Sequence, residues 1–514
     1  MPQSGEPCVS ANERWSGFRP EKAELHPHYM RFELLRYGAA ISLASTNSGA
    51  AIKLEFKDYV VEPRFAVTPA DFYGEINVDL ERGEISGYTT SNNGRPRRRF
   101  KCYFIFKFNA PFTDAYVTNG KNAVRGTNRK GKAAGANVGL SQKCTEAFLA
   151  TSYIGYEQAR LNLEREACSY DEAKQRAEAC WEEVLRRVEV EGNAEDTDTF
   201  YSCMYRAFVF PNKLYEVDAR GEAVHVVPET GKLKKGVLYT NNGFWDTFRT
   251  VYPLYSLIAP KECTEIVKGW LNFFDDTGYL PRWTSPSESG CMPGTLVEAV
   301  LADAVVKNLL SKDDVKRALT AMLKNAEVPS GNSKQGRKCV YEYETLGYVP
   351  YDKCYESVNE TLDCAYGDYC IAQVAEYLGE AETAKKYTAL SKNYKNLFDK
   401  SVGFMRARAS DGSFRKDFDC NAWGRDYTEG SAWQTTLSVQ HDIAGLSELY
   451  GGREEFFEFI DKLVAAEPRY TRGGYGGEIH EMTEMASVDF GQCAISNQPS
   501  FHIPYVYAEL GEKA

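Results

Sequence analysis

EQARLNLEREACSYDEAKQRAEACWEEVLRRV, residues 157–188, is where the chain changes its period. Ala173, Ala177, Trp181, Val184, Leu185 and Val188 fall on one face of a 3.6-residue helix, and Ser169 with Glu172 has capping-box spacing at its start. Upstream, from Tyr29 to about Tyr153, the period is two. YMRFELLRY, AAIKLEF, INVDL and KCYFIFKFNAP alternate apolar with polar residues between Asn, Gly and Pro punctuation, as half-buried antiparallel strands do. Downstream, helical segments are expected at 198–209, 249–259, 262–274, 296–310, 313–325, 362–378, 381–398, 431–450 and 454–466. The connections between them are long and rich in Gly, Tyr, Trp and Pro. The pattern predicts a β-sandwich over 1–155, a helical linker over 156–195 and an α/α barrel over 196–514, whose loops at one end build the site.

Composition sets the outer limits. At 514 residues and 43% hydrophobic, the chain exceeds what one core serves, so more than one domain is expected. Apolar runs such as VYPLYSLIAP and LVEAVLADAVV are too short to span a bilayer. A net charge of −11 argues against a nucleic-acid partner, and the basic run RPRRRFK at 95–101 reads as a solvated turn. The 14 cysteines form no CxxC pair or zinc spacing and read as buried free thiols. MPQSGEPCVSANERW has no basic n-region followed by an apolar core, so no signal peptide is read; secreted, periplasmic and cytoplasmic locations stay open.

Three loops concentrate the side chains that hold sugars. NNGFWDTFRT carries Trp245, Asp246 and Arg249; GYLPRWTSP carries Arg282 and Trp283; DYTEGSAWQ carries Glu429, Trp433 and Gln434. Indole faces cover the C–H surface of a pyranose, while Asp and Arg bind hydroxyls that must be paired once buried. Each also has a structural reading: Trp245 as core, Asp246 as a helix cap, Arg282 as a surface pair. Glycoside hydrolysis needs a protonated carboxyl for the leaving oxygen and an ionised one for water or carbon. Glu429, among Tyr427 and Trp433, is the candidate acid, since partial burial keeps a carboxyl protonated; the alternative is a helix-starting acid. Asp442 in QHDIAG and Glu478 in YGGEIH are candidate second carboxylates or structural hydrogen-bonding groups. His502 lies among aromatics in NQPSFHIPYVY, either as a sugar ligand or as a core histidine. No HExxH, Walker, GxGxxG or GxSxG motif occurs, which leaves metalloprotease, phosphoryl-transfer, nucleotide and serine-hydrolase chemistry without support.

Taken in order, GVLYTNNGFWDTFRTVYPL, GYLPRWTSP, MPGTLVEAVLADAVVK, SVNETLDCAYGDYCIAQVAEYLG, GFMRARASDGSF, YTEGSAWQ, HDIAGLSELYGG and SNQPSFHIPYVYAELG resemble glycoside hydrolase family 92, the calcium-dependent exo-α-mannosidases. TSYIGYEQARLNLERE resembles the family's segment leading out of its β-sandwich. The resemblance implies a β-sandwich on an (α/α)6 barrel, and inverting hydrolysis of terminal α-mannosides in glycans. It implies calcium on the 2- and 3-hydroxyls of the mannose, with ligands this sequence does not identify. Glu429 matches the glutamate of the EGxxWQ motif, the general acid. Trp245 and Asp246 match the mannose-binding FWDT motif. Gln434, Asn497, Gln498 and His502 are implied to lie near sugar and cation.

The chain departs from the family pattern in three respects. The family's early Gly- and His-rich segment has no counterpart, which suggests an N-terminally incomplete sandwich. The Asp-rich motif that carries the general base is also absent, which suggests a barrel incomplete at its C-terminus and a polypeptide of little activity, since general-base assistance is worth roughly 10²–10⁴-fold. Members that cleave α-1,2 bonds are expected to carry a His-Glu pair where this chain has Asn497-Gln498, so linkage is left open. Two other readings remain: an (α/α)6 glycosidase acting on α-glucosides without calcium, and a mannoside-binding fragment without turnover.

Overall fold

In the computed structural model, which describes residues 1–8, 10, 12–68, 72–91 and 100–511, the chain divides into two compact units, Met1–Thr240 and Asn241–Ala514. In the first unit the period-two segments pair into two antiparallel sheets. The larger runs Asn128–Lys132, Tyr73–Asp79, Glu84–Thr89, Cys102–Phe108, Cys144–Ser152, Gly49–Phe56, Ala39–Ser45, Tyr29–Leu34 and Glu24–Leu25 across its width. Pro63–Val67, Gly135–Leu140 and Phe112–Thr118 are the centre of the smaller sheet. Register follows the alternation: Leu54 pairs with Ile41 on one side and Thr145 on the other. Ile52, Leu54, Ile76, Ile85 and Phe108 from one sheet meet Phe65, Phe112, Ala136 and Val138 from the other, with Phe65 edge-on to Phe108 at 5.3 Å. Each of the Val, Leu, Ile and Phe side chains contributes about 1.5–3 kcal/mol by leaving water. This is the expected sandwich. Most of the basic run at 95–101 lies outside the described residues.

The large sheet has a second covered face. Its small residues Ala44, Ala51 and Ala150 leave room for helices Tyr156–Glu166 and Tyr170–Leu185, which insert Ala159, Leu163, Tyr170 and Ala173. Segment 156–195, expected as a linker, therefore contributes a layer of this unit. Residues 196–240, expected in the barrel, also cluster here. Glu216 on strand Tyr215–Val217 accepts from Ser152 Oγ at 3.0 Å, Tyr153 N at 2.8 Å and Asn162 Nδ2 at 2.8 Å, which ties the segment to the sheet and its helix. Only half of the anticipated box caps the second helix: Ser169 Oγ accepts from Glu172 N at 3.3 Å, while the Glu172 carboxylate pairs with Arg176.

The second unit is helical. Its axis is Ser357–Leu378, which packs against Val297–Val306, Lys312–Glu327 and Ala381–Leu390 and is buried on most sides. That helix nevertheless encloses Asn359, Glu360, Asp363 and Asp368. Asp368 is neutralised by Arg337, whose Nη1 lies 2.6 Å from Oδ1, while Arg337 Nη2 reaches Glu298 Oε2 at 3.0 Å. The helix expected at 431–450 breaks into Ala432–Thr436 and Ile443–Tyr450. Asp442 caps the second piece, its Oδ1 accepting from Gly445 N at 3.1 Å. Helices Val340–Leu346, His480–Val488 and Ile503–Glu509 arise outside the segments expected to be helical. The order is the expected one, an antiparallel β-sandwich followed by a helical domain. No helix among the described residues is long and apolar enough to cross a membrane. All the cysteines are free thiols, but only Cys263, Cys364, Cys370 and Cys493 are fully buried. Cys144, Cys180, Cys203 and Cys291 are exposed, which corrects the expectation of buried thiols throughout.

Candidate active site

Three segments far apart in sequence converge on Glu429. Its backbone lies in the left-handed region at φ +48°, a conformation that costs a non-glycine residue about 1–2 kcal/mol. Neighbouring side chains hold it there. Thr428 N donates to Asn359 Oδ1 at 2.9 Å and Glu429 N donates to the Tyr475 hydroxyl at 2.7 Å. The carboxylate accepts from Trp245 Nε1 at 3.0 Å and from Asn497 Nδ2 at 3.3 Å, both on Oε2. Beside it, Asp246 Oδ1 accepts from Gln498 Nε2 at 3.0 Å. Arg249 lies over the Trp245 ring at 5.3 Å and the Phe248 ring at 4.4 Å.

Burial dominates the electrostatics. It pushes the Glu429 carboxyl above its ordinary range, against the two hydrogen bonds that favour the charged form. Burial, reinforced by the Glu429 charge and opposed by Arg249, raises Asp246 to about 6. The Arg249 guanidinium is drawn down to about 10 by burial, against the charges of Asp363, Asp246 and Glu429. Several buried polar atoms here have no hydrogen-bond partner in the protein: Arg249 Nη1, Asp363 Oδ2, Glu481 Oε2 and Gln498 Oε1. Buried polar groups are paired in native proteins, so these atoms are available to a polar ligand or to water. Among the described residues no three His, Cys, Asp or Glu side chains are grouped to hold a metal ion.

Family models account for nearly the whole chain: a glycosyl hydrolase family 92 N-terminal domain matches residues 1–150, and a family 92 catalytic domain matches residues 158–514. The chain belongs to glycoside hydrolase family 92. A family 92 inverting mannosidase of Bacteroides thetaiotaomicron VPI-5482 is 34% identical, superposes with a TM-score of 0.91, and is covered over 70% of its length by 99% of this chain. A family 92 α-mannosidase of Bacteroides thetaiotaomicron, solved with mannoimidazole, is 25% identical with a TM-score of 0.88, over 99% of this chain and 69% of that one. An uncharacterized secreted glycosidase of Arthroderma benhamiae is 24% identical over 414 residues, which are 72% of this chain and 45% of that protein. The chain thus spans less than half the length of that relative. Its helical domain is consistent with the (α/α)6 barrel expected of the family.

In this family 92 chain, the residues singled out from sequence separate into two groups. Glu429, Trp245, Asp246, Arg249, Asn497 and Gln498 share one site. The rest support structure. Trp433 is a core residue, edge-on to Phe404 at 4.8 Å and stacked on Phe459 at 5.8 Å, with its Nε1 donating to Asn421 Oδ1 at 3.0 Å. Gln434 forms a capping box, its Oε1 accepting from Ser431 N and Ser431 Oγ, both at 2.8 Å, while Nε2 donates to Gln492 O at 2.6 Å. Neither side chain hydrogen-bonds the Glu429 carboxylate. Arg282 is a buried strut that donates to Gly336 O at 2.8 Å and Met292 O at 3.4 Å. Trp283 lies on Gly243, where any Cβ would come within 2.3 Å of the indole, so the strand pair Asn242–Gly243 with Trp283–Thr284 requires glycine. His502 donates through Nε2 to Leu437 O at 2.6 Å and is pushed down to about 4 by burial and the charge of Arg249. It is a neutral histidine bound to the backbone, lining a separate cavity with Tyr366, Tyr369 and His441.

The candidate second carboxylates are also structural. Asp442 caps a helix and binds Lys392 at 2.7 Å and the Tyr394 hydroxyl at 2.5 Å; these bonds hold its pKa below the ordinary value although burial works to raise it. Glu478 is exposed and accepts from Tyr470 at 2.9 Å. Sequence reasoning overlooked Glu356, Glu360 and Asp363. Burial raises Glu356 to about 7, with Lys338 opposing and Glu360 and Glu429 adding to the shift. Burial and the Glu360 charge raise Asp363 to about 8. The available signal was a run of acidic residues, Glu356, Glu360, Asp363 and Asp368, at the start of and within one helix.

Proposed function

We propose that this chain binds the terminal α-linked mannose of a glycan and protonates its glycosidic oxygen from Glu429, within an inverting hydrolysis. The reading rests on one observation above all: both donors to Glu429 fall on Oε2, and burial biases the group toward its neutral form. Trp245 and Asn497 orient the carboxyl, and Oε1 carries the proton toward the leaving oxygen. Arg249 Nη1, Asp246 and Gln498 Oε1 bind sugar hydroxyls, which replaces the water each loses on burial. The mannosidase neighbours support the choice of sugar.

Calcium belongs to the proposal as the cation that the resemblance implies. Gln498 Oε1, a buried hard oxygen without a partner, and the adjacent Asp246 fit such an ion. When bound, it would supply positive charge that fixes sugar hydroxyls. Asp442 and Glu478 are tied into structural bonds, so the proposal names neither as the general base. That same distribution favours a second reading, mannoside binding without turnover.

The test is hydrolysis of an aryl α-mannoside, with and without a chelator, together with the anomeric configuration of the first product and calorimetric binding of mannoimidazole. Hydrolysis with inversion, abolished by Glu429→Gln and weakened by chelator, is expected. Binding without hydrolysis selects the second reading. Preference for α-glucosides, or retention of configuration, overturns both.

A further inference from the structure

Beyond the sugar site, a pair of thiols lies behind it. Cys339 precedes helix Val340–Leu346 with a left-handed backbone at φ +50°, and Gly347, at φ +75°, ends that helix. A turn follows, in which Cys354 N donates to Pro350 O at 3.1 Å, and it returns Cys354 to the start of the helix. Cys339 and Cys354 pack on the same small cluster of Tyr343, Val349 and Cys364, and the Cys354 thiol donates to Tyr355 O at 3.2 Å. Both are partly accessible, whereas Cys364 beneath them is buried. Lys338, the residue before the first thiol, pairs with Glu360, and Glu356, two residues after the second, is anchored by its amide to Arg425 O at 2.7 Å.

We infer that Cys339 and Cys354 form a redox-active dithiol, which a small-molecule disulfide such as oxidised glutathione converts to an intramolecular disulfide linking the Lys338 and Glu356 segments. The neighbouring Cys354 lowers the Cys339 thiol pKa, while Cys354 itself is pushed up and keeps its proton, donated to Tyr355 O, which orders the two steps. The Cys339 thiolate attacks one sulfur of the glutathione disulfide, forms the Cys339–glutathione bond and releases one glutathione thiolate. Cys354 then loses its proton, attacks Cys339 sulfur and expels the second glutathione. Two protein thiols are oxidised and one small disulfide is reduced to two thiols.

The test is peptide mapping of the folded chain after exposure to oxidised glutathione. Trypsin, cutting after Lys338 and Lys353, releases Cys339 and Cys354 on separate peptides, so the bond joins them and fragmentation distinguishes Cys354 from Cys364 and Cys370. The expected result is a 339–354 crosslink that dithiothreitol reverses, a urea midpoint higher than that of the reduced protein, and neither effect in Cys339→Ser. Cys354→Ser is expected to accumulate glutathione on Cys339, because the resolving thiol is gone. A stable glutathione adduct on Cys339 in the parent chain overturns the inference. So does an absent 339–354 link in folded protein whose exposed Cys291 has reacted.

Discussion

The eight residues YTEGSAWQ contain two environments, and the contrast between them separates chemistry from scaffolding. In residues 427–430 the backbone enters the left-handed region at Glu429, and the amides of Thr428 and Glu429 bind side chains from other segments. In residues 431–434 a capping box closes on itself and the indole enters an aromatic core. Both halves contain an indole hydrogen bond to a side chain nearby. At Trp245 the acceptor is the ionisable Glu429, whereas at Trp433 it is the neutral Asn421. What a tryptophan contributes near an active site is therefore decided by its acceptor and by what lies on its faces.

Substitutions in the two halves should have different effects. Glu429→Gln is expected to lower kcat on α-mannosides by about 10²–10⁴-fold with no change in urea midpoint, since it removes the acid and preserves the shape. Trp433→Ala is expected to behave in the opposite sense, losing about 3–5 kcal/mol of stability through the cavity left between Phe404 and Phe459, with mannoimidazole affinity retained by the folded fraction. If affinity falls and stability holds, the division drawn here breaks. Gln434→Ala is expected to cost about 1–3 kcal/mol, because Ser431 N and Gln492 O lose buried partners; denaturant unfolding measures it.

The smallest effect concerns pH. Asp246 is raised to about 6 from an ordinary 3.8, so between these values the folded chain holds a proton that the unfolded chain has released. Stability from this group therefore falls as pH rises through that window, with the loss complete above it. Asp246→Asn should flatten the unfolding midpoint between about pH 4 and pH 6 relative to the parent, by on the order of 1 kcal/mol after solvent screening. A parallel curve would mean that Asp246 is not held toward its neutral form.

How far the sequence discloses the molecule depends on how local each signal is. The change of period at residues 157–188 is local, and the sandwich and helices follow from it. The packing of those helices is less evident, because it depends on Ala44, Ala51 and Ala150 presenting a smooth face, a tertiary property. Glu429 was recognisable as a carboxyl among aromatics, and Asn497 and Gln498 through the family resemblance. Ser431-x-x-Gln434 is itself a capping-box pattern, the same local signal as Ser169 with Glu172, and here both halves of the box form. Glu356 and Asp363 were overlooked because their helix is buried on most sides, so no amphipathic stripe sets the functional positions apart.

The amides of the acid loop also provide a natural dynamic probe. Thr428 N and Glu429 N are protected by Asn359 and Tyr475 side chains and not by a helix or ladder, so their hydrogen–deuterium exchange would follow excursions of the site itself, well below the free energy of global unfolding. Two backbone protons thus monitor how often the acid leaves its working geometry, in the absence of substrate and without any label in the cleft.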